Sequence, residues 1–471
     1  MQYSIVMKRQ LNDEFRLDAE YYSPYNLTMV EKIKKKPWQI IDDFANVTDG
    51  IHTSIDFDQT SGINSLSAKA PKDNFFDLNA SGYISRTQHE MNKRTELCVD
   101  DVIISTVGTI GNCAVVEKEI LPANCDRDVG IIRIHSDFKA RFLSTFLLSK
   151  YGYFQSIRNS TGNVQLHLFI YAIKKFFVPK LDIDFQNIIE DVVSISHRKM
   201  EDGKTHLREA DAVLLEQLKL QNWEPKHKLY YVKNFSDSIS NKRFDAEFFQ
   251  PQYDNIINAV KDYQGGYDTV RNILNIKDRS YTPTDVEYKY VELADIGSYG
   301  EITGFTKDIG TNLPTRARRK IATSDVIISS IEGSLSSVAV VSKEYNASLC
   351  STGFYVVNSE SINSETLLVF FKSIAGQMQL RRGCSGTILT AINKDAFGDI
   401  LIPKINADSQ GTIKNAVERA FHERHKALLM LKKAKLAVEL AIETNEEEAT
   451  KWIIQELRKI GVEYDAGNNK N

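Results

Sequence analysis

The chain carries the same text twice, about 224 residues apart, and a duplication of that length constrains the architecture before any single element is considered. Asp18-Ala19-Glu20-Tyr21-Tyr22, with Pro24, returns as Asp245-Ala246-Glu247-Phe248-Phe249, with Pro251. Asp101-Val102-Ile103-Ile104-Ser105 returns as Asp325-Val326-Ile327-Ile328-Ser329, an offset of 224 (325 − 101). Val178-Pro179-Lys180 returns as Ile402-Pro403-Lys404 at the same offset (402 − 178). A repeat this long exceeds any solenoid unit, so each copy is expected to be a domain with its own core. At 42% apolar and 26% charged residues, the chain can supply two such cores.

Each copy has the same internal order, a mixed region followed by one long helix. In copy one the mixed region spans 1–181, with short β-rich runs at Val102–Ser105, Cys113–Val116 and Val129–Ile134, and a helical stretch from Arg141 to about Ile157. A helix is expected over 182–222, a linker over 223–241, the second mixed region over 242–405, its helix over 406–445 and a tail over 446–471. The fold class is α+β.

The helices carry a heptad seam. Ile189, Val193, Ser196, Met200, Gly203, Leu207, Ala210 and Leu214 step alternately by four and three, and adding 224 gives Ile413, Val417, Ala420, Arg424, Ala427, Leu431, Ala434 and Val438. Only Arg424 departs, and it is long enough to snorkel out. Small residues alternate with larger ones in both seams. An antiparallel pairing then sets large against small and fills the space, whereas a parallel pairing stacks small on small. The bland reading is that each helix packs only on its own domain. A helix of about 35 residues is roughly 50 Å long, so a pair of them is a rod holding two domains apart about a pseudo-twofold axis.

Net charge is −3 over 471 residues, which leaves a polyanionic partner to be judged from local charge. The cysteines at 98, 113, 125, 350 and 384 have no metal-ligand or disulfide spacing, and no site for a metal is expected. No apolar stretch approaches the ~18 residues of a membrane span, and Met1–Gln10 lacks the core of a signal peptide, so a soluble cytoplasmic protein is expected.

Several of these residues match a known pattern. Asp49-Gly50-Ile51-His52-Thr53, Gly62-Ile63 and Leu66-Ser67-Ala68-Lys69 lead to Asp101–Ser105 with Thr106-Val107-Gly108-Thr109-Ile110-Gly111. Thr161-Gly162 through Val178-Pro179-Lys180 then runs into a helix bearing Gln186. Copy two is looser, with Tyr290-Val291, Asp295-Ile296, Glu332-Gly333, Ser385-Gly386-Thr387, Pro403 and Gln410. From residue 1 to about 445 the chain resembles the specificity (S) subunit of type I restriction-modification systems. The resemblance implies two tandem target-recognition domains, each reading one half of a split site in double-stranded DNA. It implies that the helices set the gap and dock two methyltransferase subunits, to which restriction subunits add. It also implies a non-catalytic chain that binds no cofactor, with S-adenosylmethionine and ATP on the partner subunits.

DNA binding needs cations for phosphates and polar side chains for base edges. Arg316, Arg318, Arg319 and Lys320 form a basic run before the Asp325 strand, with Asn92-Lys93-Arg94 at the corresponding place in copy one. A plain solvated face would look similar. Thr106 and Thr109 lie in the strand-and-turn motif. The glycine turns offer Arg158, Thr161 and Asn163 in copy one and Arg382, Ser385 and Thr387 in copy two, and they read equally well as ordinary turns. His52 and His167 carry no preferred role. Asp202-Gly203-Lys204-Thr205 lacks the upstream glycine and strand of a phosphate loop.

Two other readings stay open. A duplicated enzyme would need recurrent acid-base groups, and the candidates Asp18/Asp245 and Glu20/Glu247 look more like an ordered turn. A protein-only scaffold would bind through its coiled coil and show no salt-dependent affinity for duplex DNA. The tail, with Glu446-Glu447-Glu448 and Trp452-Ile453-Ile454, is either a capping helix or a docking element.

Overall fold

The computed structural model describes residues 4–8, 11, 16–78, 81–162, 164–386 and 390–464. They belong to two compact units, Met1–Lys199 with His425–Asn471, and Met200–Arg424. The division passes through both long helices, Ile183–Gln217 and Ala407–Glu443. Each unit therefore combines one mixed α+β region with part of each helix.

In the first unit a four-stranded antiparallel sheet runs in the order Ala45–Asp49, Val129–Ile134, Val102–Ser105, Cys113–Val115. The second unit repeats it with Asn275–Ile276, Phe354–Asn358, Val326–Ser329 and Val338–Val340. The Val-Ile-Ile-Ser strands are buried at every position, as their unbroken apolar text requires. The preceding aspartate is buried too, at 1% exposure in both copies. Asp101 accepts the Cys98 amide at 2.8 Å and is gripped by Arg133 at 2.8 and 2.6 Å. Asp325 accepts the Ala322 amide at 2.8 Å and is held by Lys277 at 2.7 and 2.8 Å and by the Asn358 amide at 2.9 Å. A buried carboxylate is tolerated only when paired in this way.

A helix pair packs on each sheet. The stretch expected as one helix from Arg141 is two, Ala140–Leu148 and Lys150–Asn159, broken at extended Ser149, whose hydroxyl donates to the Phe146 carbonyl at 2.6 Å. Ser373 does the same for Ser364–Lys372 and Ile374–Gly383, donating to Phe370 at 2.7 Å. Two glutamines recur as clamps. Gln155 brackets the backbone of Phe177 at 3.0 and 2.8 Å, and Gln379 brackets that of Leu401 at the same distances. Gln186 accepts the Lys139 amide at 3.1 Å, and Gln410 the Asn363 amide at 2.9 Å, fixing the start of each long helix to its own mixed region.

The seam differs from its expected packing. In the first unit Ser196 Oγ donates to the Ala427 carbonyl at 2.9 Å. In the second, a Cβ on Gly203 would lie 3.1 Å from the Ala420 carbonyl, and Glu209 reaches Arg419 at 3.9 Å. Partner numbers fall as the first helix advances, so the paired segments run antiparallel. The facing residues at these two layers are nevertheless small on small, Ser196 with Ala427 and Gly203 with Ala420, not large on small. Close backbone approach takes the place of interdigitation. Where a void would result, Tyr299 fills it: its ring carbon would stand 2.9 Å from a Gly203 Cβ, and its hydroxyl donates to the Met200 carbonyl.

Arg424 does not snorkel to solvent. Its Nε lies 2.5 Å from Glu301, and its guanidinium stacks on Tyr299 at 4.5 Å. Burial pushes the Glu301 carboxyl up, with Arg424 opposing it. Of the other seam residues, Ile189, Val193, Met200, Leu214, Ile413, Val417, Ala427, Leu431 and Val438 are buried, and Leu207 is half-buried.

The tail forms the helix Glu446–Lys459, which buries Ala449, Ile453 and Leu457 at four-residue spacing. Tyr464 donates to Asp191 at 2.8 Å, and Lys433 pairs with Glu456, so within the first unit the tail folds back on both long helices. Among the described residues no helix is long and apolar enough to cross a membrane.

Candidate nucleic-acid interface

In the first unit, motifs far apart in sequence meet at the turn Asp126-Arg127-Asp128. The Ile51 amide donates to the Cys125 carbonyl at 2.8 Å and the Thr106 amide to Asp128 at 3.0 Å. The Leu168 amide donates to Thr106 at 2.9 Å, and Thr161 and His167 exchange two backbone bonds at 2.9 and 2.8 Å. The Asp49–Thr53 signature, the Thr106–Gly111 turn and the Thr161–His167 turn thus form one surface. Gly108 and Gly162 sit in it at φ +71° and +129°, conformations that favour glycine.

The second unit brings the counterparts of the Thr106 and Thr161–His167 turns together in the same way, 224 residues on. The Ser330 amide and hydroxyl donate to the Gly353 carbonyl at 2.8 and 2.9 Å, the Ile392 amide to Ser330 at 2.9 Å, and Ser385 pairs with Ala391. Here the Thr352 amide also bonds the Arg316 carbonyl at 2.9 Å, which brings the basic run to the same place.

The rims differ. In the second unit Ala317–Lys320 is a strand beside Leu349–Ser351. Arg316 and Lys320 are exposed and Arg318 is half-buried, its Nε donating to the Thr315 carbonyl at 3.1 Å. Lys320 lies over the Tyr281 ring at 5.1 Å, and the Tyr281 and Tyr288 hydroxyls are 3.0 Å apart. Arg319 points inward instead, with Nε and Nη1 shielded from solvent and no hydrogen-bond partner for them among the described residues.

Among the described residues copy one has no such strand. Lys93 and Arg94 lie in a 3-10 turn, Lys93–Thr95, so the two basic runs share a place in the text but not a structure. Lys93 pairs with Glu96 at 2.9 Å. Arg94 staples the signature loop, donating to Asp49 and Gly50 carbonyls at 3.1 and 3.2 Å and to the Thr48 hydroxyl. His52 bonds Asp49 at 2.6 Å. Burial raises the Asp49 carboxyl, but the bonds from His52 and Arg94 outweigh it and hold it below its ordinary range. Burial leaves Asp126 raised, to about 6.

Other expected contacts sit as follows. Thr106 is buried; Thr109 is exposed and donates to the Ala68 carbonyl at 2.6 Å; Thr161 is half-buried and Ser385 exposed. Asn163 and Thr387 lie outside the described residues. Arg158 stacks on Tyr21 at 3.8 Å and donates to its carbonyl at 2.8 Å; Arg382 stacks on Phe248 at 4.2 Å and donates to its carbonyl at 3.3 Å. Burial lowers both guanidinium pKa values. Asp18 and Asp245 accept the Tyr21 and Phe248 amides at 2.9 and 3.1 Å and pair with Arg16 and Arg243, which makes them turn formers.

The sequence reading passed over an exposed aromatic row. His167 stacks with Phe169 at 6.4 Å and 22°, and Phe169 with Tyr171 at 5.7 Å and 11°. The alternation at 167, 169 and 171 was the available signal. Among the described residues no group of three or more His, Cys, Asp and Glu could hold a metal ion.

No protein-family model matches the chain, and no curated protein does. Among solved structures the chain is similar to the type I restriction-modification system S subunit from M. genitalium, at 13% identity and TM-score 0.37, over 88% of this chain and 96% of that one. It is similar to the HsdS subunit from Thermoanaerobacter tengcongensis at 14% identity and TM-score 0.26, over 90% and 95%. A third match, at 14% and 0.27 over 90% and 97%, comes from a study of complex assembly and conformational transition of the type I R-M system.

Proposed function

We propose that the chain is the DNA sequence-specificity subunit of a type I restriction-modification complex. Each unit's convergent surface reads one half of a bipartite site, and the paired long helices set the gap between halves. The same helices dock two methyltransferase subunits, to which restriction subunits add. The chain itself performs no chemistry, and S-adenosylmethionine and ATP belong to those partners.

One observation carries this reading: the junction of the Thr106 and Thr161–His167 turns with residues 126–128 recurs where Ser330 and the Ser385–Ala391 pair meet Gly353, with different chemistry at its rim. A duplicated structural device would keep its rim, whereas two readers of different sequences need one scaffold and two sets of contacts. The second rim offers Arg316, Arg318 and Lys320 beside tyrosines, a combination suited to phosphates and base edges.

The test is a map of modified bases in DNA exposed to the chain together with its methyltransferase. A split motif with a fixed gap is expected. Modification without a motif, or at one uninterrupted motif, would overturn the reading. Affinity for a duplex should also fall steeply with salt.

A further inference from the structure

The His167, Phe169 and Tyr171 rings are unusual in being large, preformed and outward-facing. Phe169 and Tyr171 are 47% and 48% exposed, and Leu166 beside them is 42% exposed. The fold does not need them. At the equivalent positions the second unit has Ala391, Asn393 and Asp395. Asn393 caps the helix Lys394–Gly398, accepting the Ala396 amide at 2.9 Å. Phe169 stands at the same cap of Ile170–Lys174 and makes no such bond. Copy one thus gives up a favourable cap to display a ring, which a purely structural role does not explain.

We infer that these rings are a stacking wedge that the first unit sets against one base step of duplex DNA. The inference rests on the DNA-reading function proposed above and assigns the contact that this unit makes there. Its placement favours DNA over a protein partner. His167 is bonded into the turn that meets Thr106 and, through it, Asp128, on the surface that exposes Arg127 and, next to Thr109, Lys69. The carboxylates of that surface are engaged or paired: Asp49 with His52 and Arg94, Asp128 near Arg127, and Asp126 with the Asp128 amide. Cations interleaved with aromatic faces suit a nucleic acid, whose bases present π-faces between phosphates. A base does not fit between Phe169 and Tyr171, because their centroids are 5.7 Å apart and two ring contacts of ~3.5 Å each need about 7 Å. The outer faces and edges of the row make the contact.

The experiment uses the full chain and a duplex enriched by it from a random pool, with 2-aminopurine substituted at successive positions of each half. Three proteins are compared: parent, Tyr171→Ser, and Phe169→Asn, which restores the cap used in copy two. The parent is expected to raise 2-aminopurine fluorescence at one step of one half only. Both variants should bind roughly ten- to hundred-fold more weakly with an unchanged salt slope, and Phe169→Asn should melt no lower than the parent. Flat fluorescence with parental affinity in both variants would overturn the wedge while leaving the DNA-reading function in place. Parental DNA affinity with loss of a co-purifying protein would overturn it in favour of a protein contact. Failure of the parent to enrich any duplex would overturn the wedge, while the function stands or falls on the map of modified bases made with the methyltransferase.

Discussion

Arg158 and Arg382 lie in the last turn of helices that lead into glycine-containing turns, where a phosphate contact is a natural expectation, yet each directs its charge onto an aromatic ring of its own unit. Replacing Arg158 by Gln should lower stability by about 1–2 kcal/mol, through loss of the cation–π contact and the bond to Tyr21. The salt slope of duplex binding should not change; a fall of about one in that slope would mean that the guanidinium touches phosphate after all. Asp126 offers a different check. Its folded pKa, raised to about 6, means that it contributes stability below its unfolded value near 4, and that this contribution is lost as pH rises through 6. Asp126→Asn keeps an oxygen for the Asp128 amide, so it should match the parent at pH 4 and exceed it by roughly 1–2 kcal/mol at pH 8 in denaturant titrations. Equal stability at both pH values would refute this.

At the scale of elements, the Val-Ile-Ile-Ser strands and the long helices were legible because their text is strongly periodic or unbroken. The tail helix and the break at Ser149 were less so, since a serine hydroxyl bonding backward decides the latter. What the seam could not reveal was Tyr299. It enters from the mixed region of the second unit, about 100 residues from Gly203, and no periodicity reports such a contact. The convergent surface was half legible: the motifs were visible, but their meeting at residues 126–128 and 352–353 depends on sheet register. The packing at Gly203 also has a measurable consequence. By propensity, Gly203→Ala should strengthen the helix by about 1 kcal/mol. With Tyr299 and the Ala420 carbonyl both in the way, it should instead destabilise the protein by about 1–3 kcal/mol. A melting temperature above the parent's would show that Tyr299 moves aside.

For the whole molecule, the proposed role of the helices as a spacer is open to direct test. Seven residues added to each long helix, one heptad in register, lengthen a paired rod by about 10 Å, or about 3 base pairs. Mapping modified sites should then return both original half-motifs with a wider gap; an unchanged gap would rule out the spacer role. The buried aspartates limit which parts of this chain can be exchanged. Asp101 is neutralised by an arginine from its neighbouring strand, Asp325 by a lysine on another strand's end and by Asn358, although the backbones match. Recombination that exchanges an entire mixed region carries each anion with its counterion. A crossover inside the sheet, joining Asp101 to the strand bearing Val357, would strand the carboxylate without a cation, at a cost of about 3–5 kcal/mol. Exchange of parts in this architecture is thereby steered toward whole mixed regions, with seams that fall outside their cores.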